Sequence, residues 1–245
     1  MLGRRHSELD GDLVPGLGLD GNGEKTLETV RTLEYWIVIP DVHGRDFWRR
    51  AVRGREEEKI IFLGDYVDPY SWEGITPHGA FLELQDIIEF KKEHPDNVVL
   101  LLGNHDLGYL DREICDCRRD ELRAGRLREL FEKELDLFDI VHVEGDETGK
   151  ALFSHAGIAE RWVKCREDIV GSLEGFRPER LNEMLHGKET ERERLFLALG
   201  DISPARGGHS EVGSPVWADV NEYLDGENLI DGYIHIFGHT FNMDG

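Results

Sequence analysis

The chain has 245 residues, 39 % of them hydrophobic, and its 51 Asp and Glu against 29 Lys and Arg give a formal net charge of −22. This composition excludes wholesale disorder, and the length suffices for one large core or two small ones. The acidity argues against a nucleic-acid duplex as partner, and an anionic substrate would need a local positive field to approach.

Residues 1–33 are rich in Gly, Asp and Glu without apolar periodicity, and predict a mobile N-terminal extension. The early Arg4-Arg5 pair has no apolar run behind it, so no secretory signal is expected. No stretch approaches the ~20 apolar residues that span a bilayer, so no membrane association is expected. Residues 16–21 spell G-x-G-x-x-G, but neither a strand before nor a helix after accompanies it, which argues against a dinucleotide site. Asp20 to Glu24 fails as a calcium loop because Lys25 stands where the turn needs Gly.

From Tyr35 the texture changes. Residues 35–39, 59–63 and 98–102 are short β-type apolar runs, separated by segments that read as helices. Phe81, Leu84, Ile87, Ile88 and Phe90 recur with the period of a helix. The alternation predicts a β-α-β-α-β sheet, parallel at least in part. Residues 118–138 predict a charged amphipathic helix with Leu122, Leu127, Leu130, Phe131 and Leu135 on one side. Residues 140–143 and 151–154 predict a hairpin, 178–185 and 189–199 helices, and 233–237 a last strand. Cys115, Cys117 and Cys165 make no even framework, and the C-x-C pair is not a C-x-x-C, so reduced thiols in a cytoplasmic protein are expected.

The chemistry gathers just after the strands. The runs end in Asp41-Val-His43-Gly44, Gly64-Asp65-Tyr-Val-Asp68, Gly103-Asn104-His105-Asp106, His155-Ala-Gly157 and Gly238-His239-Thr240. Taken singly, each is an ordinary turn or cap. Together they deliver Asp, Asn and His to the carboxyl ends of strands, where open α/β sheets gather ligands. Asp, His and one Asn without thiolate suit Mn, Fe or Zn, and the donors are too many for one ion, so two divalent transition metals are expected. The cations would also supply the positive field that the acidity demands. His142 and His235 alternate with apolar neighbours and read as structural; His209 lies in a Gly loop near Arg206; Tyr66, Tyr70 and Trp72 would either line a groove or cover the core.

This order of motifs resembles the calcineurin-like metallophosphoesterases, closest to the phosphoprotein-phosphatase branch with its serine/threonine phosphatases and symmetrical diadenosine tetraphosphatases. It runs from about Tyr35 to Thr240. The resemblance implies an α/β fold with a central β-sandwich flanked by helices, occupying residues 34–245. It implies that Asp41 and His43 hold a first metal, that Asp65 bridges, and that Asn104, His155 and His239 complete the second. It makes His105 the general acid oriented by Asp68, and Asn104 and Arg206 substrate contacts. It implies hydrolysis by a metal-bridging hydroxide of a phosphorylated substrate, whether phosphoprotein, nucleotide or small phosphoester. The alternatives are a dinucleoside polyphosphate hydrolase and a non-catalytic phosphate- or metal-binding module.

Three features depart from the family pattern. Where G-D-x-V-D-R-G would place a phosphate-clamping Arg, the chain has Pro69, and Arg206 is the expected replacement. Pro40 stands in place of the usual Gly before Asp41. The chain ends at Gly245, soon after His239, where related folds continue, which implies a truncated domain or a sheet that closes differently.

Overall fold

The computed structural model describes residues 35–146 and 149–240, and the antiparallel pairing of Gly18–Leu19 (β1) with Lys25–Thr26 (β2). The extension expected to be mobile and the two rejected motifs within it otherwise lie outside the described residues. The chain divides into two units, Met1–Tyr35 and Trp36–Gly245, and the second carries the site.

The three apolar runs become the core of a parallel sheet. Trp36–Ile39 (β3), Lys59–Phe62 (β4) and Val98–Leu101 (β5) pair in that order, with Val38 opposite Ile61 and Ile61 opposite Val99. Phe138–Asp139 (β6) adds a fourth parallel strand on β5. The second sheet pairs Val141–Asp146 (β7) antiparallel with Gly149–Ser154 (β8), and β8 in parallel with Ile234–Ile236 (β9).

Side-chain alternation makes a sandwich of the two sheets. Trp36, Val38, Ile61, Leu63, Val99 and Leu101 face one way and cluster with Ala151, Phe153 and Ile236 of the second sheet. The intervening Ile37, Ile39, Ile60, Phe62, Val98 and Leu100 pack on the other side against Trp48, Phe81, Leu84, Ile87 and Ile88. Four of these belong to the helix Pro77–Glu93, where they form the buried part of the expected stripe and Phe90 is half-buried. Thr76 caps that helix by accepting the Gly79 N–H, and Pro77 opens it. Among the described residues no helix is long and apolar enough to cross a membrane.

The helix expected over 118–138 is shorter. It runs Ala124–Lys133, a 3-10 turn follows at Leu135–Leu137, and Phe138 belongs to β6. Asp120 explains the late start: its carboxylate accepts the Leu122 N–H and pairs with Arg123, a local turn that competes with helix. Leu122 is therefore 92 % exposed, whereas Leu127, Phe131 and Leu135 are buried as the pattern requires. At the far end the open edge of β5 takes Phe138 opposite Leu100.

Candidate metal centre

Strands β4 and β5 lie side by side, so the turns that follow them meet. A side chain at Gly103 would collide with Asp65 Oδ1, so only glycine allows this approach. Asp106 knits the two turns together: its carboxylate accepts N–H bonds from Asp65 (2.7 Å), Tyr66 (2.9 Å) and Gly103 (2.9 Å). Asp106 stands inside a motif singled out from the sequence, but its tying role shows only once the turns are placed. Asp106→Ala would leave three buried N–H groups unpaired and is expected to cost about 3 kcal/mol or more in denaturant unfolding.

Asp65 sits at the centre of the site, 2 % exposed. Its Oδ1 accepts the His105 backbone N–H at 3.0 Å, while Oδ2 lies 3.7 Å from His43 Nε2 and 3.5 Å from His155 Nε2. Burial pushes its carboxyl pKa up, but the surrounding His155, His105, His43 and His239 outweigh burial and hold it below the usual carboxylate range.

The imidazoles have their orientation set from behind. His43 Nδ1–H donates to the Val67 carbonyl at 2.7 Å, and His155 Nδ1–H to the Leu63 carbonyl at 2.8 Å. In the neutral imidazole this leaves both Nε2 atoms as lone pairs aimed at Asp65. His155 Nε2 also lies 3.1 Å from Asn104 Oδ1 and 3.0 Å from His239 Nδ1. His239 Nε2 is buried without a hydrogen-bond partner. Lone pairs crowded in this way repel one another unless a cation or a proton lies among them. The donors thus fit divalent metal, with His43, Asp65 and His105 in one group and Asp65, His155 and His239 in the other. The ligand atoms of each group all lie within 4.8 Å of one another, and Asp65 belongs to both. Asp41 stands beside the second group, its Oδ1 accepting the His239 N–H at 3.1 Å.

His105 Nδ1 is 2.9 Å from Asp68 Oδ2, and Tyr109 O–H donates a very short bond to Asp68 Oδ1. Burial lowers the pKa of His105, but Asp65, Asp68 and Cys117 outweigh it and raise the pKa well above the ordinary histidine value.

Arg118 is the residue that sequence reasoning left on a solvated helix. Its Nη2 lies 2.8 Å from His105 Nε2 and 3.4 Å from His43 Nε2, and its guanidinium stacks 3.7 Å from the centre of the Tyr70 ring. Backbone strain marks it too. Among the described residues, the non-glycine positions with positive φ are His43, Asp65, Asp68, Arg118 and His239, and every one lies in this site. Each costs on the order of 1 kcal/mol, and such strain collects at functional sites. Composition carries no trace of a left-handed residue, so the sequence could not have revealed it.

Arg206 is near but occupied. It donates to Thr240 Oγ1 at 2.8 Å and to the His239 carbonyl at 3.4 Å, and its Nε lies 2.8 Å from Asp219 Oδ2. Asn104 Nδ2 is likewise engaged, donating to Cys115 Sγ at 3.7 Å. The aromatic residues divide: Tyr66 is core and donates to the Leu101 carbonyl, whereas Tyr70 and Trp72 stack at 4.5 Å beside His43, with Trp72 77 % exposed. His209 is exposed. His142 packs at a tilt against Trp36, and His235 bonds the Ile230 carbonyl, both half-buried and structural. All three cysteines are free.

A family model described as calcineurin-like phosphoesterase matches residues 36–243. A serine/threonine-protein phosphatase of Caenorhabditis elegans is 24 % identical over 218 residues, covering 85 % of this chain and 43 % of that protein. The chain therefore spans less than half the length of this relative. The solved phosphatase domain of the Legionella effector WipB aligns over 79 % of this chain and 77 % of its own, at 11 % identity and a TM-score of 0.36.

Proposed function

The chain belongs to the calcineurin-like phosphoesterases, metal-dependent hydrolases, and on that premise we propose that residues 34–245 form a domain hydrolysing a phosphate monoester at two cations that share Asp65, in the manner of a serine/threonine phosphatase. The observation that carries this reading is the Asp65 carboxylate, set between His43 on one side and His155 and His239 on the other, with the neighbouring His105 reserved for proton transfer. His43 would hold one cation and Asn104, His155 and His239 the other; Asp41, which the resemblance assigns with His43, would join from beside His239, whose N–H its Oδ1 accepts. Such ions, when bound, acidify water and polarise the phosphoryl group, and Mn, Fe or Zn suits these oxygen and nitrogen donors.

The chain's own groups do the rest. His105 holds a proton at Nε2 and gives it to the leaving oxygen. Asp68, clamped by Tyr109, fixes the tautomer through Nδ1. A protonated Nε2 cannot accept the Arg118 N–H, so the 2.8 Å contact belongs to the neutral imidazole. Arg118 then swings its fork to the phosphate oxygens. That role falls to Arg118 rather than Arg206, whose charge is already met by Asp219. Arg118→Ala is expected to weaken inhibition by phosphate or vanadate about 10- to 100-fold, the worth of one charged hydrogen-bond pair. Arg206→Ala should change that inhibition little, and should lower stability by about 1 kcal/mol, because Asp219 loses its cation but keeps the two Asn221 donors. Equal inhibition of wild type and the Arg118 variant would place the clamp elsewhere.

Trp72, 77 % exposed and stacked on the half-buried Tyr70, favours a second reading, because an open aromatic face also accepts a nucleobase. A substrate panel with Mn2+ decides between them: phosphopeptides, nucleotides and diadenosine polyphosphates, assayed side by side. The phosphatase reading expects phosphopeptide turnover. Preferential cleavage of the diadenosine compounds would replace it with the pyrophosphatase reading. A metal-loaded protein that turns over nothing would leave a binding module.

A further inference from the structure

Beside the Asp65 groups lies a third cluster of donors with different chemistry. Cys115 Sγ and Cys117 Sγ stand 3.2 Å apart, and Cys117 Sγ is 3.7 Å from His105 Nε2. With the imidazole they form a set whose ligand atoms all lie within 4.8 Å of one another. The geometry points to a separate zinc site, built by Cys115, Cys117 and His105, that silences the enzyme by capturing the nitrogen from which His105 delivers its proton.

Softness separates this site from its neighbours. Two thiolates and one imidazole select zinc, while the Asp65 groups offer only oxygen and nitrogen. A tetrahedral zinc ion, with Zn–S of about 2.3 Å and Zn–N of about 2.0–2.1 Å, spaces its ligand atoms about 3.5–3.8 Å apart. The 3.7 Å from Cys117 to His105 already matches within about 0.2 Å, and the two sulfurs have to open by about 0.6 Å from 3.2 Å. Supporting hydrogen bonds are already made behind the ligands. Asp68 Oδ2 accepts from His105 Nδ1, completing a carboxylate–histidine pair of the kind that backs zinc, and the Asn104 amide donates to Cys115 Sγ. Cys117 is exposed, which gives the ion a way in, and three protein ligands leave a fourth position for water. The exposed Arg118 side chain, now on His105 Nε2, has to move off when zinc arrives. Zinc binding stands on these contacts alone; its inhibitory effect rests on the proton-donor role proposed above.

The test uses Mn2+-loaded protein with all three thiols reduced. Added Co2+ should produce a thiolate-to-cobalt charge-transfer band in the near ultraviolet at one equivalent. Zn2+ should displace that band and lower turnover of an alkyl phosphate about 10²-fold, as loss of a general acid would. Cys117→Ser and Cys115→Ser should lose the band, and the turnover of Cys117→Ser, whatever its level without zinc, should not fall when Zn2+ is added. The zinc site is overturned if reduced wild type gives no band, if the band survives in the double Ser variant, or if zinc inhibits Cys117→Ser equally. A band that obeys the variants in a protein with no phosphoesterase activity upholds the zinc site and overturns the catalytic reading. Normal turnover without a band does the reverse.

Discussion

Asp65→Asn is expected to empty both cation positions at once and to lower turnover by at least about 10³-fold, the equivalent of about 4 kcal/mol of lost transition-state stabilisation. The amide has the shape of the carboxylate, and its oxygen still accepts the His105 N–H that Oδ1 accepts at 3.0 Å. The turns after β4 and β5 also remain tied by Asp106. The fold therefore survives, and the loss reports metal rather than unfolding. Elemental analysis of protein purified without chelator should fall from about two ions per chain to well below one. His239→Asn, which touches one group only, should remove one ion and leave the other. Asp65→Asn protein that still holds two ions would refute the shared-carboxylate centre.

His105→Asn has the second largest expected effect, and its signature is different. Metal content should stay at wild type. Turnover of a phosphoserine peptide, whose alkoxide needs a proton as it leaves, should fall about 10²- to 10⁴-fold. The same variant should lose far less on p-nitrophenyl phosphate, because that leaving group departs without protonation. Asp68→Asn should show the same dependence on leaving group in weaker form, since Asp68 acts through Nδ1 of His105. Equal losses on both substrates would remove His105 from the acid role and leave it as a metal or phosphate contact.

Much of the fold was legible because its signals are local. The runs that become β3, β4 and β5 are short, apolar and closed by Gly or Pro, and a parallel sheet buried on both faces demands such runs. The motifs that follow them converge because parallel strands end on one side. The illegible parts depend on partners far away in sequence. Phe138 reads as the last apolar residue of a helix until the open edge of β5 takes it into the sheet. Arg118 reads as one of many solvated cations until a left-handed turn throws it across Tyr70 and onto two imidazoles. Arg206 looked free because nothing local shows that Asp219, Thr240 and the His239 carbonyl surround it. Cys115 and Cys117 read as ordinary thiols until the loop brought them against His105.

The five left-handed residues around the site carry a cost in robustness. Glycine would rest more easily at every one of them. A version of this chain tuned for heat resistance alone would drift toward glycine there, gaining thermal tolerance while losing two imidazoles, two carboxylates and a guanidinium. The ring is thus where stabilising and disabling substitutions coincide, and a library screened only for melting temperature should return inactive proteins from these five positions first.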